Sequence, residues 1–151
     1  MQKRTALFIG RFQPLHKGHI YAIKKAIARH GFVIIAVGSI NMNDEKNPWS
    51  YGKRKSMLEA ELKEYRNKYK IIGIRDTTDG EWVRKIKRIK CDAIISGNDY
   101  VWHLLKGMNL EKPAWLSPRT YNGTKIRTRI RKKKPIKHLV TKKIMKIIGQ
   151  S

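Results

Sequence analysis

Residues 10–19 read Gly10-Arg11-Phe12-Gln13-Pro14-Leu15-His16-Lys17-Gly18-His19. The segment lies between an apolar run at residues 5–9 and a stretch at residues 18–30 whose isoleucines recur with helical spacing. A strand, a glycine-containing turn and a helix N-terminus therefore follow one another, and the first amides of a helix carry partial positive charge that attracts anions. This order of elements predicts phosphate binding at the turn.

Apolar runs and helical segments alternate along the rest of the chain. Uniformly apolar strands separated by helices predict a parallel sheet that is covered on both faces. The expected fold class is therefore α/β, a Rossmann-like doubly wound parallel sheet in three layers, with C-terminal helices. Ligands of such sheets bind beyond the carboxyl ends of the strands. The predicted strands are residues 5–9, 32–37, 70–74, 93–96 and a short run at 114–116, and the predicted helices are residues 18–30, 51–65, 81–90 and 100–106.

Length and composition indicate one folded domain. The chain has 151 residues, of which 40% are hydrophobic and 30% charged, which is enough apolar material for a core and too little bias for disorder. We expect a single domain over residues 1–151 that includes a C-terminal helical segment at about 123–149. The apolar stripe of this segment, expected to pack in the core or against another subunit, consists of Ile136, Leu139, Val140, Ile144, Ile147 and Ile148.

The sequence contains neither an apolar run of the roughly 20 residues that a membrane span needs nor a signal-peptide pattern at its N-terminus. Cys91 is the single cysteine, which excludes an internal disulfide and a cysteine-based zinc cluster. We therefore expect a cytoplasmic protein with no membrane partner and no metal-ligand set of its own.

The charge balance is strongly basic. Lys and Arg number 35 against 11 Asp and Glu, a formal net charge of +24, and Glu111 is the last acidic residue. Such a surface attracts phosphates, nucleotides or nucleic acid, and composition alone does not choose among them. A protein that binds nucleic acid non-specifically is one hypothesis, although no aromatic residue follows Tyr121 to stack on bases. Its evidence is a basic stripe formed by Lys125, Arg127, Arg129, Arg131, Lys132, Lys133, Lys134 and Lys137.

Residues 10–19 resemble the HxGH signature of the nucleotidyltransferase superfamily. The longer pattern Gly-Arg-Phe-Gln-Pro-x-His-x-Gly-His resembles that of the archaeal-type nicotinamide mononucleotide (NMN) adenylyltransferases. Members of that family join the 5′-phosphate of NMN to the α-phosphorus of ATP, which gives NAD and pyrophosphate without a protein nucleophile. The residues that this resemblance implies are, for catalysis, His16, His19 and Arg11, for ATP also Gly10, and for the acceptor Phe12 and Gln13.

Three later segments resemble further blocks of the family, in the same order. Residues 47–54, Asn-Pro-Trp-Ser-Tyr-Gly-Lys-Arg, resemble Asn-Pro-Phe-Thr-x-Gly-Glu-Arg, with Lys53 in place of the usual acid. Residues 96–98, Ser-Gly-Asn, follow a strand as the same turn does in the family. Residues 122–127, Asn-Gly-Thr-Lys-Ile-Arg, resemble Ser-Gly-Thr-x-Ile-Arg. The ATP contacts that these blocks imply are Arg54, Asn98, Asn122 (in place of the usual serine), Gly123, Thr124 and Arg127.

Residues 76–82, Asp-Thr-Thr-Asp-Gly-Glu-Trp, resemble the family segment that holds the pyridine ring and imply acceptor contacts from Asp76 and Trp82. An aromatic face holds a pyridinium cation by stacking. The family loop usually carries an asparagine between these positions, whereas this loop has Thr78 and Asp79 and is one residue shorter. The remaining tryptophans, expected to pack in the core or an interface, are Trp49, Trp102 and Trp115.

The acceptor itself stays open at this level. NMN is preferred, and the alternatives are nicotinic acid mononucleotide, phosphopantetheine and flavin mononucleotide (FMN), the last two being disfavoured by residues 11–13 and Trp82. Distinguishing the amide from the acid of the pyridine requires the geometry of the loop. The resemblance also implies Mg²⁺ bound through the ATP phosphates and a homo-oligomer, often a hexamer.

Overall fold

The computed structural model describes residues 3–149, which form a five-stranded parallel sheet between two layers of helices. A 3-10 turn, Lys63–Tyr65, lies between the second helix and the third strand. The elements in chain order are β1 (Arg4–Gly10), α1 (Lys17–His30), β2 (Gly31–Val37), α2 (Tyr51–Glu61), β3 (Tyr69–Gly73), α3 (Asp79–Lys87), β4 (Ala93–Ile95), α4 (Asp99–Leu104), β5 (Leu110–Glu111), α5 (Gly123–Arg131) and α6 (Lys142–Ile148).

The strands are ordered β3-β2-β1-β4-β5, with β1 at the centre. β1 pairs in parallel with β2, where Gly10 lies beside Val37, and with β4, where Phe8 lies beside Ile95. The chain builds the sheet outward from β1 in one direction and then, from β4, in the other. The order therefore reverses between β1 and β4, at the kind of switch point where open α/β sheets bind ligands. The predicted α/β doubly wound fold is confirmed.

Buried side chains form one cluster on each face of the sheet. Successive residues of a strand point to opposite faces, so Phe8 joins the cluster that contains residues of α1 and α2, whereas Leu7 joins the cluster on the side of α3 and α4. Ile126 of α5 and Ile144 of α6 are fully buried in the same cluster as Phe8. The C-terminal helices thus pack on the face of the sheet that α1 and α2 also cover.

α1 begins and ends where the sequence provides caps. His16 is the N-cap residue and accepts hydrogen bonds from two backbone amides of the first turn. Gly31, at the C-cap, has a φ of 99°, a backbone conformation that side chains disfavour, and its N–H donates to the carbonyl of Ile27. The chain leaves the helix there and enters β2 directly, which fixes where β2 starts beside Arg4 of β1.

Two predicted elements show the largest errors in extent or position. α2 ends at Glu61 instead of continuing to residue 65, because Leu62 leaves the helical conformation, with φ −107° and ψ 18°, and is buried in the core. The fifth strand is Leu110–Glu111 rather than residues 114–116. Pro113 has no N–H to give to a continuing ladder, so the apolar residues after it form a loop.

The C-terminal apolar stripe is only partly helical. Thr141 caps α6 by accepting a hydrogen bond from the amide of Ile144, so Ile136, Leu139 and Val140 lie in the turn that precedes the helix, where all three are buried. Within residues 3–149, no helix has the length and apolar character needed to cross a membrane.

Candidate active site

A cavity of about 730 Å³ opens beyond the carboxyl ends of the strands, at the switch point of the sheet. Its walls come from the segments that follow each strand and from the start of α5. A glycine is needed at position 10, since an added Cβ would lie 2.9 Å from Cζ of Phe12. The predicted site residues that line the cavity are Gly10, Arg11, His19, Asp76, Trp82, Asn98, Gly123 and Thr124.

The other predicted site residues are not among the lining residues, and they contact the segments that form the cavity walls. Five of them make hydrogen bonds or ring contacts to the turn after β1, to α1 or within the start of α5, and the side chain of Gln13 bonds the backbone of Trp49. These supporting residues are Phe12, Gln13, His16, Arg54, Asn122 and Arg127.

His16 and His19 form a reciprocal cap at the start of α1. Nδ1 of His16 accepts hydrogen bonds from the amides of Gly18, at 3.1 Å, and His19, at 3.3 Å. Nδ1 of His19 accepts one from the amide of His16, at 3.2 Å. Because both Nδ1 atoms are acceptors, each neutral ring carries its proton on Nε2. His19, whose ring lines the cavity, is therefore able to offer an N–H donor to a bound ligand.

Both imidazoles are neutral at physiological pH. Burial lowers the pKa of His16 to about 4. Burial, followed by repulsion from His16, lowers the pKa of His19 well below its ordinary value. At neutral pH His19 is consequently a hydrogen-bond donor without a net charge, and the fixed positive charge of the site comes from arginines.

Two of these arginines, Arg54 and Arg127, donate hydrogen bonds to backbone carbonyls of the turn after β1. The buried guanidinium of Arg54 donates from Nη1 to the carbonyls of Arg11 and Gly38, each at 2.7 Å. Arg127 of α5 donates from Nη1 to the carbonyl of Gln13 at 2.7 Å and from Nη2 to Oγ1 of Thr124 at 3.3 Å. Neither of these two arginines is among the lining residues, whereas Arg11 is.

Phe12 and Gln13 pack inward from the same turn. The ring of Phe12 meets that of His19 edge to face, with centroids 5.0 Å apart, and is 1% exposed. Gln13 is clamped to the backbone of Trp49, to whose carbonyl it donates and from whose amide it accepts, both at 3.0 Å. These contacts fix the turn and the orientation of His19.

Two asparagines cap helices that point at the cavity. Oδ1 of Asn98, which follows β4, accepts hydrogen bonds from the amides of Tyr100, at 2.8 Å, and Val101, at 3.3 Å. Oδ1 of Asn122 accepts one from the amide of Lys125, at 2.8 Å, and so caps α5. The amides of Gly123 and Thr124 at this helix start lie at the cavity wall.

The end of the cavity nearest β3 holds Asp76 and Trp82. Oδ1 of Asp76 accepts a hydrogen bond from Oγ of Ser39 at 2.9 Å, and Asn41 bonds both the amide and the carbonyl of Asp76. Trp82, in the first turns of α3, is half-buried against the cluster of Leu7. An acid and an aromatic ring thus share this end.

Trp115 lines the cavity, which corrects its assignment to the core or an interface. Its ring is 37% exposed and lies edge-on to His19, with centroids 5.7 Å apart. Trp49 is buried and Trp102 donates its indole N–H to the carbonyl of Ser96, as expected of packing residues. Sequence reasoning missed Trp115 because it stands in a loop outside any block or periodic pattern.

Asp79 and Tyr100 are two further lining residues that the sequence did not single out. The phenol of Tyr100 donates a hydrogen bond to Oδ2 of Asp79. The only available signal was the departure of the loop at residues 76–82 from its family pattern.

Across residues 3–149, no group of three or more His, Cys, Asp and Glu side chains is arranged to hold a metal ion. The donor set of the cavity instead suits anions, with Arg11, His19 and the amides at the start of α5. Part of the basic stripe is also engaged in structure, since Arg127 donates to the carbonyl of Gln13 and Arg129 to that of Pro135.

The fold and this cavity agree with a comparison against known families. The sequence matches the cytidylyltransferase-like family over residues 7–145, so the chain is a nucleotidyltransferase-type protein of that family. It is 34% identical to a nicotinamide-nucleotide adenylyltransferase of Methanococcus aeolicus over 151 residues, covering 96% of this chain and 88% of the relative. A relative of the same name in Methanolobus tindarius is 33% identical, with 97% and 88% covered. The chain therefore belongs to the nicotinamide-nucleotide adenylyltransferase family.

A solved structure shares the fold. It is a bifunctional NMN adenylyltransferase/ADP ribose pyrophosphatase from Francisella tularensis, with a TM-score of 0.78 and 24% sequence identity. The match covers 99% of this chain and 51% of that one, so this chain spans about half of the bifunctional protein.

Proposed function

We propose that this chain transfers AMP from ATP to the 5′-phosphate of NMN, giving NAD and pyrophosphate by direct in-line attack. The observation that carries the proposal is the order of groups along the cavity. Trp82 follows the edge strand β3, His19 follows the central strand β1, and Trp115 follows the opposite edge strand β5. A dinucleotide has the same order, a ring at each end and phosphates in the middle.

We assign the phosphates to the turn after β1 and to the two capped helix starts. Arg11 and His19 donate to the α-phosphate, and the wall formed by Gly10, Asn98, Gly123 and Thr124 accommodates the rest of the triphosphate. His16, Arg54, Asn122 and Arg127 act as positioning residues, because their polar atoms hold the backbone and side chains that face the ligand. Phe12 and Gln13 hold the turn in the same way.

The chemistry requires no protein nucleophile, because the phosphate of NMN attacks the α-phosphorus directly. The protein aligns two polyanions and stabilises charge on the five-coordinate phosphorus and on the leaving pyrophosphate. His19 contributes through Nε2–H, and Arg11 contributes a full charge. Mg²⁺ bound through the ATP phosphates would supply further charge neutralisation.

We assign the rings to the two tryptophans. The pyridinium of NMN stacks on Trp82 with Asp76 nearby, and a tryptophan face favours such a cation. The adenine stacks on Trp115, beside Gly97, where an added Cβ would lie 2.9 Å from the indole. We also propose that the protein is cytoplasmic. We propose in addition that it forms a homo-oligomer, such as the hexamer that the family resemblance implies, and light scattering of the purified protein measures the number of subunits.

The experiment is a pyrophosphate-release assay with ATP and, in turn, NMN, nicotinic acid mononucleotide, FMN and phosphopantetheine. We expect release that depends on both ATP and NMN, with NAD as the second product. Salt-sensitive binding of DNA or RNA, with no pyrophosphate from any acceptor, would instead favour a nucleic-acid-binding protein.

A further inference from the structure

Asp79 and Tyr100 join two helices at the rim of the cavity. Asp79 is the first residue of α3, Tyr100 lies in the first turn of α4, and the phenol donates a hydrogen bond to Oδ2 of the carboxylate. Both residues line the cavity. The two helices pack on the same face of the sheet, so the contact connects the segment after β3 to the segment after β4.

Asp79 lies on the helix face of the tryptophan proposed to hold the acceptor ring. Trp82 is three residues further along α3, and residues three apart on a helix are neighbours. A substituent on a ring that stacks on Trp82 is therefore brought toward the carboxylate of Asp79. Asp76, also a lining residue, adds a second carboxylate to this end of the cavity.

The carboxylate of Asp79 retains acceptor capacity. A carboxylate has two oxygens with about four acceptor sites, and in residues 3–149 its side chain has one hydrogen-bond donor, Tyr100, and no salt-bridge partner. The hydrogen bond to Asp79 raises the pKa of Tyr100, which keeps the phenol protonated and the carboxylate in one orientation. The remaining acceptor sites are therefore available to a donor on a bound ligand.

We propose that Asp79, oriented by Tyr100, is a specificity-determining residue that selects the carboxamide over the carboxylate of the pyridine ring. The inference rests on the proposed function. An amide NH₂ donates to Asp79, whereas the carboxylate of nicotinic acid mononucleotide would meet like charge from Asp79 and Asp76. We expect the wild type to prefer NMN over nicotinic acid mononucleotide by at least about 5-fold in kcat/KM. This is the effect of one like charge roughly 4 Å away in water-like surroundings.

The test compares kcat/KM for NMN and for nicotinic acid mononucleotide in the wild type, Asp79→Asn, Tyr100→Phe and Asp99→Asn. Asp99 is the matched control, because it is an exposed acid on α4 that pairs with Lys112 outside the cavity lining. In Asp79→Asn we expect the preference for NMN to fall about 5-fold or more, chiefly through a lower KM for the acid. Tyr100→Phe raises KM for NMN and leaves kcat within about 2-fold, and Asp99→Asn keeps the wild-type ratio.

A ratio in Asp79→Asn that equals that of Asp99→Asn would overturn the inference while leaving the adenylyltransferase reaction intact. Failure of the proposed function looks different, since no acceptor would then be turned over by the wild type. Calorimetric titration with each mononucleotide alone gives a readout that needs no turnover. Equal affinity of the wild type for the amide and the acid there would also overturn the inference.

Discussion

His16 and His19 stack with ring centroids 3.6 Å apart and an interplanar angle of 22°, while each accepts a hydrogen bond from the backbone amide of the other. This arrangement gives the pair two roles, capping the helix and placing a ring nitrogen at the cavity. His16 closes the first turn of α1 and is buried, and His19 uses the same turn to present its remaining ring nitrogen to the cavity. Structural capping and ligand binding are therefore divided between the two residues.

Replacing His19 by Ala is expected to lower kcat by roughly 10²-fold to 10³-fold, the usual effect of removing one preorganised donor to a developing anion. Steady-state pyrophosphate release measures it. His138→Ala is the matched control, since His138 is an exposed histidine that does not line the cavity, and its activity should equal that of the wild type. Equal activity of His19→Ala and the wild type would remove His19 from the proposed role.

The stability of the protein should fall as the pH drops from about 6.5 toward 4. Burial lowers the pKa of His16 to about 4 in the folded state, so in this window the unfolded chain binds a proton that the folded chain does not. The contribution is fully present above pH 6.5 and diminishes by about 1.4 kcal/mol per pH unit below it. Urea unfolding of the wild type and His16→Asn at pH 7.5, 5.5 and 4.5 and constant salt measures the effect. Identical pH slopes would contradict it.

Arg54→Met is expected to destabilise the fold by about 3 kcal/mol or more, because the carbonyls of Arg11 and Gly38 lose a charged donor in a buried place. The control is Lys53→Met on the same helix, where the side chain is exposed and the cost should stay within about 0.5 kcal/mol. Free energies of unfolding from urea titrations decide between them. Comparable losses in the two variants would mean that the buried guanidinium is not what holds the turn.

Trp82→Ala and Trp115→Ala should separate the two substrates. Loss of Trp82 removes a cation–π contact of about 0.5–2 kcal/mol and raises KM for NMN by roughly 2-fold to 30-fold. Loss of Trp115 removes base stacking worth about 1–3 kcal/mol and raises KM for ATP instead. Each KM is measured with the other substrate saturating. A variant that shifts the wrong KM, or both equally, would reverse or remove the assignment of rings to the two ends.

The central part of the fold was predictable because its signals are local. The turn at residues 10–19, the stop at Gly31 and the apolar run of β2 each depend on a few neighbouring residues. β5 was misplaced because it has only two residues, and its pairing with β4 depends on contacts distant in sequence. The hydrophobic periodicity of a segment does not indicate which distant strand it pairs with.

The same distinction between local signals and contacts distant in sequence applies to the candidate site. Gly10, His19 and Trp82 stand in sequence blocks that follow strands, and all three residues line the cavity at the carboxyl ends of the strands. Arg54 was expected at the phosphates, yet its side chain turns to backbone carbonyls, a direction that only the packed turn defines. Trp115 reaches His19 from a loop after the last strand, and no spacing rule connects those positions.

The arginines around the turn after β1 have a thermodynamic consequence. Burial, and then repulsion from Arg11, lowers the pKa of both Arg54 and Arg127, and within residues 3–149 no carboxylate forms a salt bridge with any of the three. The positive charge of Arg11 therefore opposes the charges of Arg54 and Arg127, and we expect a bound polyphosphate to reduce this repulsion. A polyphosphate bound at the proposed site would supply negative charge beside these arginines, so the free energy of unfolding should rise when it binds.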